Sequence, residues 1–336
     1  MDQLVLNLKD YTAKVTFYTF SLLLSSLLCI TMASTDSSFI LFHYTPSKPA
    51  ATLFAVLFIL ATIIYALQIV YDAKKASRKS KANPFVPLDD KSAEDVYNHR
   101  KMYKVSSTVC VFIPFFIGCI MEGIGYIARA VSSSQPQELV PYVIQSILLL
   151  VAPALIAATI YMVFGRLLYS MRCESLMLIS TRFGTSFFVV GDVFSFFLQA
   201  AGGGLMSQKG STKTGSNLIT AGLFVQVIFF GFFMFNELRF TAGVKKTCPF
   251  YNSISKKWFF VNTTLLLASV LIMVRSIVRI VEFIQGFDGY IITHEYFIYV
   301  FDAVPMFLVV LAFSVGSFFG NIFDTIAECQ TLTTLE

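Results

Sequence analysis

Seven runs of apolar residues, each long enough to cross a bilayer, govern what this chain can fold into. They lie near 50–71, 105–131, 140–165, 184–206, 217–240, 257–283 and 295–321. A span needs about 20 mostly apolar residues, and inside hydrocarbon every backbone polar group must find its partner within the chain. The runs are continuously apolar instead of alternating, which excludes a transmembrane barrel and leaves helices. The expected fold class is therefore all-α: a polytopic membrane helix bundle of seven transmembrane helices. With 56% hydrophobic and only 13% charged residues over 336 positions, a soluble domain of this size is excluded.

A further apolar stretch, residues 15–33 (VTFYTFSLLLSSLLCITMA), follows Lys9 and Lys14 and precedes the polar run Ser34 to Ser38. It reads as an N-terminal signal peptide or a signal anchor, and both remain open. The division expected is 1–33 signal peptide or extra span, 34–49 external segment, 50–321 seven-span domain and 322–336 cytosolic tail. Orientation follows from the basic residues. With their flanks, the loops at 74–104, 166–182 and 239–257 hold 9, 3 and 5 Lys plus Arg, whereas the opposite loops hold only Lys209 and Lys213. The positive-inside rule then sets the start of the seven-span body outside and the C-terminus in the cytosol. The formal charge of +5 reports those basic loops and does not point to nucleic acid. The basic first loop can hold anionic lipid heads or a cytosolic protein partner.

No chemistry-bearing cluster of the usual enzymatic kind is visible. The histidines are His43, His99 and His294, no two of which can meet at mid-membrane, so neither a metal site nor a catalytic site is expected and no cofactor is assigned. The glycine run Gly202, Gly203, Gly204 does not lead into Gly-Lys-Ser or Gly-Lys-Thr, so it is read as close helix packing or a hinge. No structural disulfide is expected among the six cysteines; Cys173, Cys248 and Cys329 near the inner face are candidates for palmitoylation, with unmodified thiols the simpler reading.

Ionisable and amide side chains inside the spans mark the candidate site, because charge at that depth is expensive and is kept where it functions. Glu122 and Arg129 are seven apart in the second span and share a helical face. The third span brings Gln145, a kinking Pro153, and Arg166 at its inner edge, read as a positive-inside residue. Asp192 and Gln199 share a face of the fourth span; Gln226 in the fifth is placed to bond Gln199, and Asn236 and Glu237 close its inner end. The sixth span carries Arg275, Arg279 and Glu282, and the seventh opens with Glu295, Tyr299 and Asp302. An Arg275 to Asp302 contact would join the last two spans, with unpaired charges there costing several kcal/mol. Ala312, Gly316 and Gly320 form a small-residue stripe for packing.

The stretches PYVIQSILLLVAPALIAATIYMVFGRL, FFVVGDVFSFFLQAAGGGLM and RSIVRIVEFIQGFDGYIITHEYFIYVFDAVPM, with HYTPSKPAA ahead of the first body span, resemble the fungal lipid-translocating exporter family over roughly residues 42–320. That resemblance implies seven spans with the N-terminus outside, and motif positions at Glu122, Arg166, Gly191, Asp192, Gln199, the triglycine, Arg275, Arg279, Glu282, Glu295 and Asp302. It also implies a cargo among sphingoid long-chain bases, aminosterols and other toxic amphipaths, or porphyrin and haem. The expectation drawn is a plasma-membrane exporter of amphipathic lipids that confers resistance and meets membrane lipids and small amphipathic cargo. A seven-span receptor or stress sensor and a porphyrin or haem transporter, with His294 as axial ligand, are the alternatives. Four acids (Glu122, Glu282, Glu295, Asp302) against three bases (Arg129, Arg275, Arg279) lean toward a cationic cargo.

Overall fold

The computed structural model describes residues 47–82, 105–134, 139–179, 181–206, 212–285 and 289–335. The signal-like segment, most of the external segment and most of the first basic loop, on which the receptor alternative rested, lie outside the described residues. Every long element is a helix: α1 (Lys48–Ala82), α2 (Val105–Cys110), α3 (Ile113–Ser134), α4 (Leu139–Ser170), α5 (Thr181–Met206), α6 (Thr212–Thr247) and α7 (Lys257–Gln285). Then come the short α8 (Tyr290–Thr293) and α9 (Tyr296–Ile298), a π-helical turn (Tyr299–Ala303), α10 (Val304–Phe319) and α11 (Ile322–Leu335). Seven segments among them are long and apolar enough to cross a membrane, the last running through α9, the π turn and α10.

Helix α4 is the hub. Its centre, LLLVAPALIAATIYMVF, is apolar on all sides, the pattern of a helix with no polar face to give to solvent. It packs against α3, α5 and α7, and the ring is completed by α5 on α6, α6 on α7, α7 on α10, α10 on α1 and α1 on α3. Leu53, Leu60 and Leu67 of α1 stand exposed on the opposite side, as lipid-facing residues do. Helix α4 ends in a Schellman arrangement: Arg172 has φ 54°, the Cys173 N–H donates to the Leu168 carbonyl and the Arg172 N–H to that of Tyr169.

Small residues set the closest approaches. A Cβ on Gly202 would stand 2.7 Å from the Gly215 carbonyl oxygen of α6, and one on Gly222 would stand 2.8 Å from that of Ser195 on α5. Gly203 has nothing within 4 Å, and α5 continues unbroken through all three glycines. Close packing therefore explains Gly202, and the helix shows no hinge. Gly316 and Gly320 lie against Thr264 and the Lys257 backbone of α7, the role expected of that stripe.

The segment after the last span is a helix instead of a loose tail. Asn321 caps α11 by accepting the Asp324 N–H at 2.7 Å, and Ile322, Phe323, Ile326 and Cys329 are buried against the bundle. Glu328 accepts from Ser255 N–H at 2.7 Å, and Asp324 lies 3.5 Å from Lys257 Nζ. Cys173, Cys248 and Cys329 are buried at this same end, and burial pushes the Cys329 thiol up to about 12. Thiolate is the nucleophile in acylation, so acyl-exchange labelling of the membrane-extracted protein is expected to find none of the three palmitoylated. A label on any of them would mean this end opens.

Candidate functional site

Two charge groups and an aromatic wall come together at the end of the bundle where α1 begins. Arg275, Arg279 and Glu282 follow each other at steps of four and three on α7, and so share one face. Asp302 holds both arginines, one per oxygen: Arg275 Nε donates to Oδ1 and Arg279 Nη2 donates to Oδ2 at 3.0 Å. Arg279 also reaches Glu282 at 3.2 Å. Asp302 is 4% exposed and Arg275 5%, so this is a core network and not a surface pair.

Two prolines prepare it. Pro153 in α4 has no N–H to give to the carbonyl four residues back, that of Leu149. Arg275 Nη2 donates to that Leu149 oxygen at 2.6 Å, so a guanidinium from the next helix satisfies the acceptor that proline leaves. Pro305 does the same to the carbonyl of Phe301. The backbone there widens into the π turn, with Val304 N–H donating to Tyr299 O, and the turn carries Tyr299 and Asp302. Single π turns inside helices recur at functional sites, where they re-aim side chains.

Glu122 of α3 is fully buried, and its nearest charged groups are Asp302, Arg275 and Arg279. Neither of its oxygens accepts a hydrogen bond among the described residues. One turn on, the buried Tyr126 ring stacks on Phe58 at 5.7 Å between centroids. The second charge group begins one turn further. Arg129 Nη2 pairs with Glu295 at 3.0 Å, its Nε donates to Tyr299 OH at 3.2 Å, and its guanidinium carbon lies 5.4 Å from the Tyr299 ring centroid. Glu295 accepts the Ser47 N–H on both oxygens at 2.9 Å, which ties the start of α1 to the last span. Phe54 stacks on Tyr299 at 5.5 Å and 11°, so Phe54, Phe58, Tyr126 and Tyr299 form a wall between the two groups.

Of the residues singled out in the sequence, Glu122, Arg129, Arg275, Arg279, Glu282, Glu295, Tyr299 and Asp302 converge here. Gln145 lies one turn before Leu149 on α4, buried and with its Oε1 accepting no hydrogen bond. Asp192, Gln199 and Gln226 sit elsewhere: Asp192 accepts from Tyr161 OH at 3.0 Å, and Gln199 Nε2 donates to Gln226 Oε1 at 3.2 Å across α5 and α6. Arg166 is a buried clamp in place of a simple edge residue, donating to Ser107 Oγ at 2.8 Å and Thr108 Oγ1 at 3.2 Å. Read from sequence, Pro153 had only a kink to contribute and Glu237 no role. Counting four residues back from each proline would have found both freed carbonyls.

His294 stands beside Glu295 with Nδ1 2.9 Å from the Tyr290 carbonyl oxygen. Thr293 Oγ1 lies 3.1 Å from the same nitrogen, so the Nδ1 side of the ring is engaged and the Nε2 side makes no hydrogen bond among the described residues.

Residues 115–325 match the family described as RTA1 like protein. The chain is 71% identical over 304 residues to Protoporphyrin uptake protein 1 of Saccharomyces cerevisiae, an alignment covering 90% of this chain and 100% of that protein. It is 63% identical over 303 residues to Protein RTM1 of Saccharomyces cerevisiae, covering 89% and 98%. The Sphingoid long-chain base transporter RSB1 of Saccharomyces cerevisiae is more distant, 26% identical over 230 residues, covering 58% and 60%. No solved structure matches the chain.

Proposed function

The chain belongs to the RTA1 like protein family, and from that membership we propose that it carries amphipathic molecules across the plasma membrane, with the start of α1 outside. The observation that carries this reading is the buried network of Arg275, Asp302, Arg279 and Glu122, which a purely structural bundle would fill with apolar side chains at lower cost. The proposed site is made of Glu122, Arg129, Arg275, Arg279, Glu282, Glu295, Tyr299 and Asp302, with Gln145 beside it.

Among amphipaths, a tetrapyrrole is the cargo we favour. The wall of Phe54, Phe58, Tyr126 and Tyr299 offers flat aromatic surface, and Arg129 and Arg279 stand on either side of it for carboxylates. The relative at 71% identity is named for protoporphyrin uptake, which supports the same choice. Cells expressing the chain are expected to accumulate fluorescent protoporphyrin faster than cells without it. Arg129→Ala is expected to lower that rate about tenfold, the worth of one charge-assisted hydrogen bond. Equal accumulation with and without the chain would refute the tetrapyrrole reading. If haem is carried too, His294→Ala is expected to abolish the visible-band shift seen on titrating haem into the purified protein, and an unchanged shift would remove His294 from the site.

A sphingoid long-chain base is the second reading, supported by Glu122. Of the four acids that made the site lean toward cations, three are engaged by arginines, and Glu122 alone keeps both oxygens open for an ammonium group. Glu122→Gln should then remove long-chain-base movement and spare protoporphyrin; loss of both would make Glu122 part of the shared network.

A further inference from the structure

Away from those charge groups a second set of buried acids faces no base among the described residues. Glu237 of α6 is fully buried beside Ser269, and among the described residues neither of its oxygens accepts a hydrogen bond. Asp192 of α5 is 5% exposed; Oδ2 accepts from Tyr161 OH at 3.0 Å, and Oδ1 accepts nothing among the described residues. Tyr161 of α4 bonds Asp192 and has Glu237 as its other acidic neighbour. The groups facing the pair are Tyr161 from α4 and Ser269 from α7. Beyond them, Asn262 of α7 donates to Thr241 Oγ1 at 2.9 Å, and Thr241 donates to the Glu237 carbonyl. Ser269 Oγ and Asn262 Oδ1 are themselves buried without a hydrogen-bond partner among the described residues.

Every acid of the Arg275 and Arg129 charge groups has an arginine against it or close by, and among the described residues these two do not. We propose that Glu237 and Asp192, the two acids nearest Tyr161, form a proton-binding site that couples the transport proposed above to a proton gradient. The inference rests on that transport reading. An unpaired carboxylate here costs several kcal/mol, a cost that taking up a proton removes. A proton is the ligand that suits two separated acids, since no group of His, Cys, Asp and Glu among the described residues can hold a metal ion. In each cycle Glu237 gains one proton on a carboxylate oxygen when the site opens to one side, and releases it when the site opens to the other. Helix α7 connects this site to the cargo site, because Ser269 and Arg275 lie less than two turns apart on it.

The test is protoporphyrin flux in proteoliposomes with an imposed pH gradient. Wild-type flux is expected to rise severalfold with the gradient, and a protonophore to cancel the rise. Flux in Glu237→Gln and in Asp192→Asn is expected to be the same with and without the gradient. Wild-type flux indifferent to the gradient, or variant flux that still follows it, overturns the proposal. Where a variant loses flux altogether, infrared spectra of the same proteins in nanodiscs decide. A protonated-carboxyl band present in wild type and reduced in Glu237→Gln supports the site, and no such band in wild type overturns it. A band with no flux in wild type sinks the transport reading instead, so the two failures are distinct.

Discussion

Replacing Asp302 by alanine is expected to destabilise the folded bundle by about 3–5 kcal/mol and to abolish transport, because two buried guanidinium groups lose the carboxylate that holds them. Arg275 keeps only the Leu149 carbonyl, and Arg279 keeps Glu282. Asp302→Asn preserves the shape and one acceptor oxygen but turns an NH₂ toward an arginine. It should therefore reach the membrane, with a smaller stability loss, and still carry nothing. Thermal unfolding of the detergent-extracted proteins, followed by size-exclusion chromatography, measures the stability half. Adding Arg275→Met to Asp302→Ala should recover part of the lost stability without recovering transport, since it removes one orphaned charge. An Asp302→Ala protein as stable as wild type would show that water reaches these arginines and that the network is not buried.

The second large effect concerns the triglycine, where neighbouring positions should respond in opposite directions. Gly202→Val drives a branched side chain into the Gly215 carbonyl and Ile219 of α6, neither of which can retreat without moving the helix. Overpacking of that kind costs about 1–3 kcal/mol, and backbone contact places this case at the upper end. Gly203→Ala has open space around it and should stabilise α5 by up to about 1 kcal/mol, the helix-propensity difference. The same unfolding assay separates them. If Gly203→Ala slowed transport while leaving stability intact, the glycines would be acting as a hinge after all.

Span count and class were legible because seven apolar runs of bilayer length admit few other folds. Charged positions in those runs were legible for the same reason: arginine and carboxylate in a span stand out against leucine. Which of them meet was only partly so. Helical spacing brought Arg275, Arg279 and Glu282 onto one face, but the π turn before Pro305 shifts the seventh span by a residue that periodicity alone does not register. Spacing put Asp192 and Gln199 on one face, but not against which helix; the structure pairs Asp192 with Tyr161 of α4 and Gln199 with Gln226 of α6. Arg166 looked like an edge residue because its serine and threonine partners sit in α2, at the very start of the second span, where nothing in the local pattern announces them. Burial of α11 was hidden for a similar reason, since its apolar residues follow a long span and read as its trailing end.

The central claim is that the Arg275, Asp302 and Arg279 network belongs to a route for amphipathic cargo. The most direct measurement is transbilayer movement of protoporphyrin in proteoliposomes holding purified wild-type protein, Asp302→Asn protein or none. Fast movement is expected with wild type, and movement with Asp302→Asn no faster than in protein-free vesicles. Wild-type vesicles no faster than protein-free ones, for protoporphyrin and for a long-chain base alike, would contradict it.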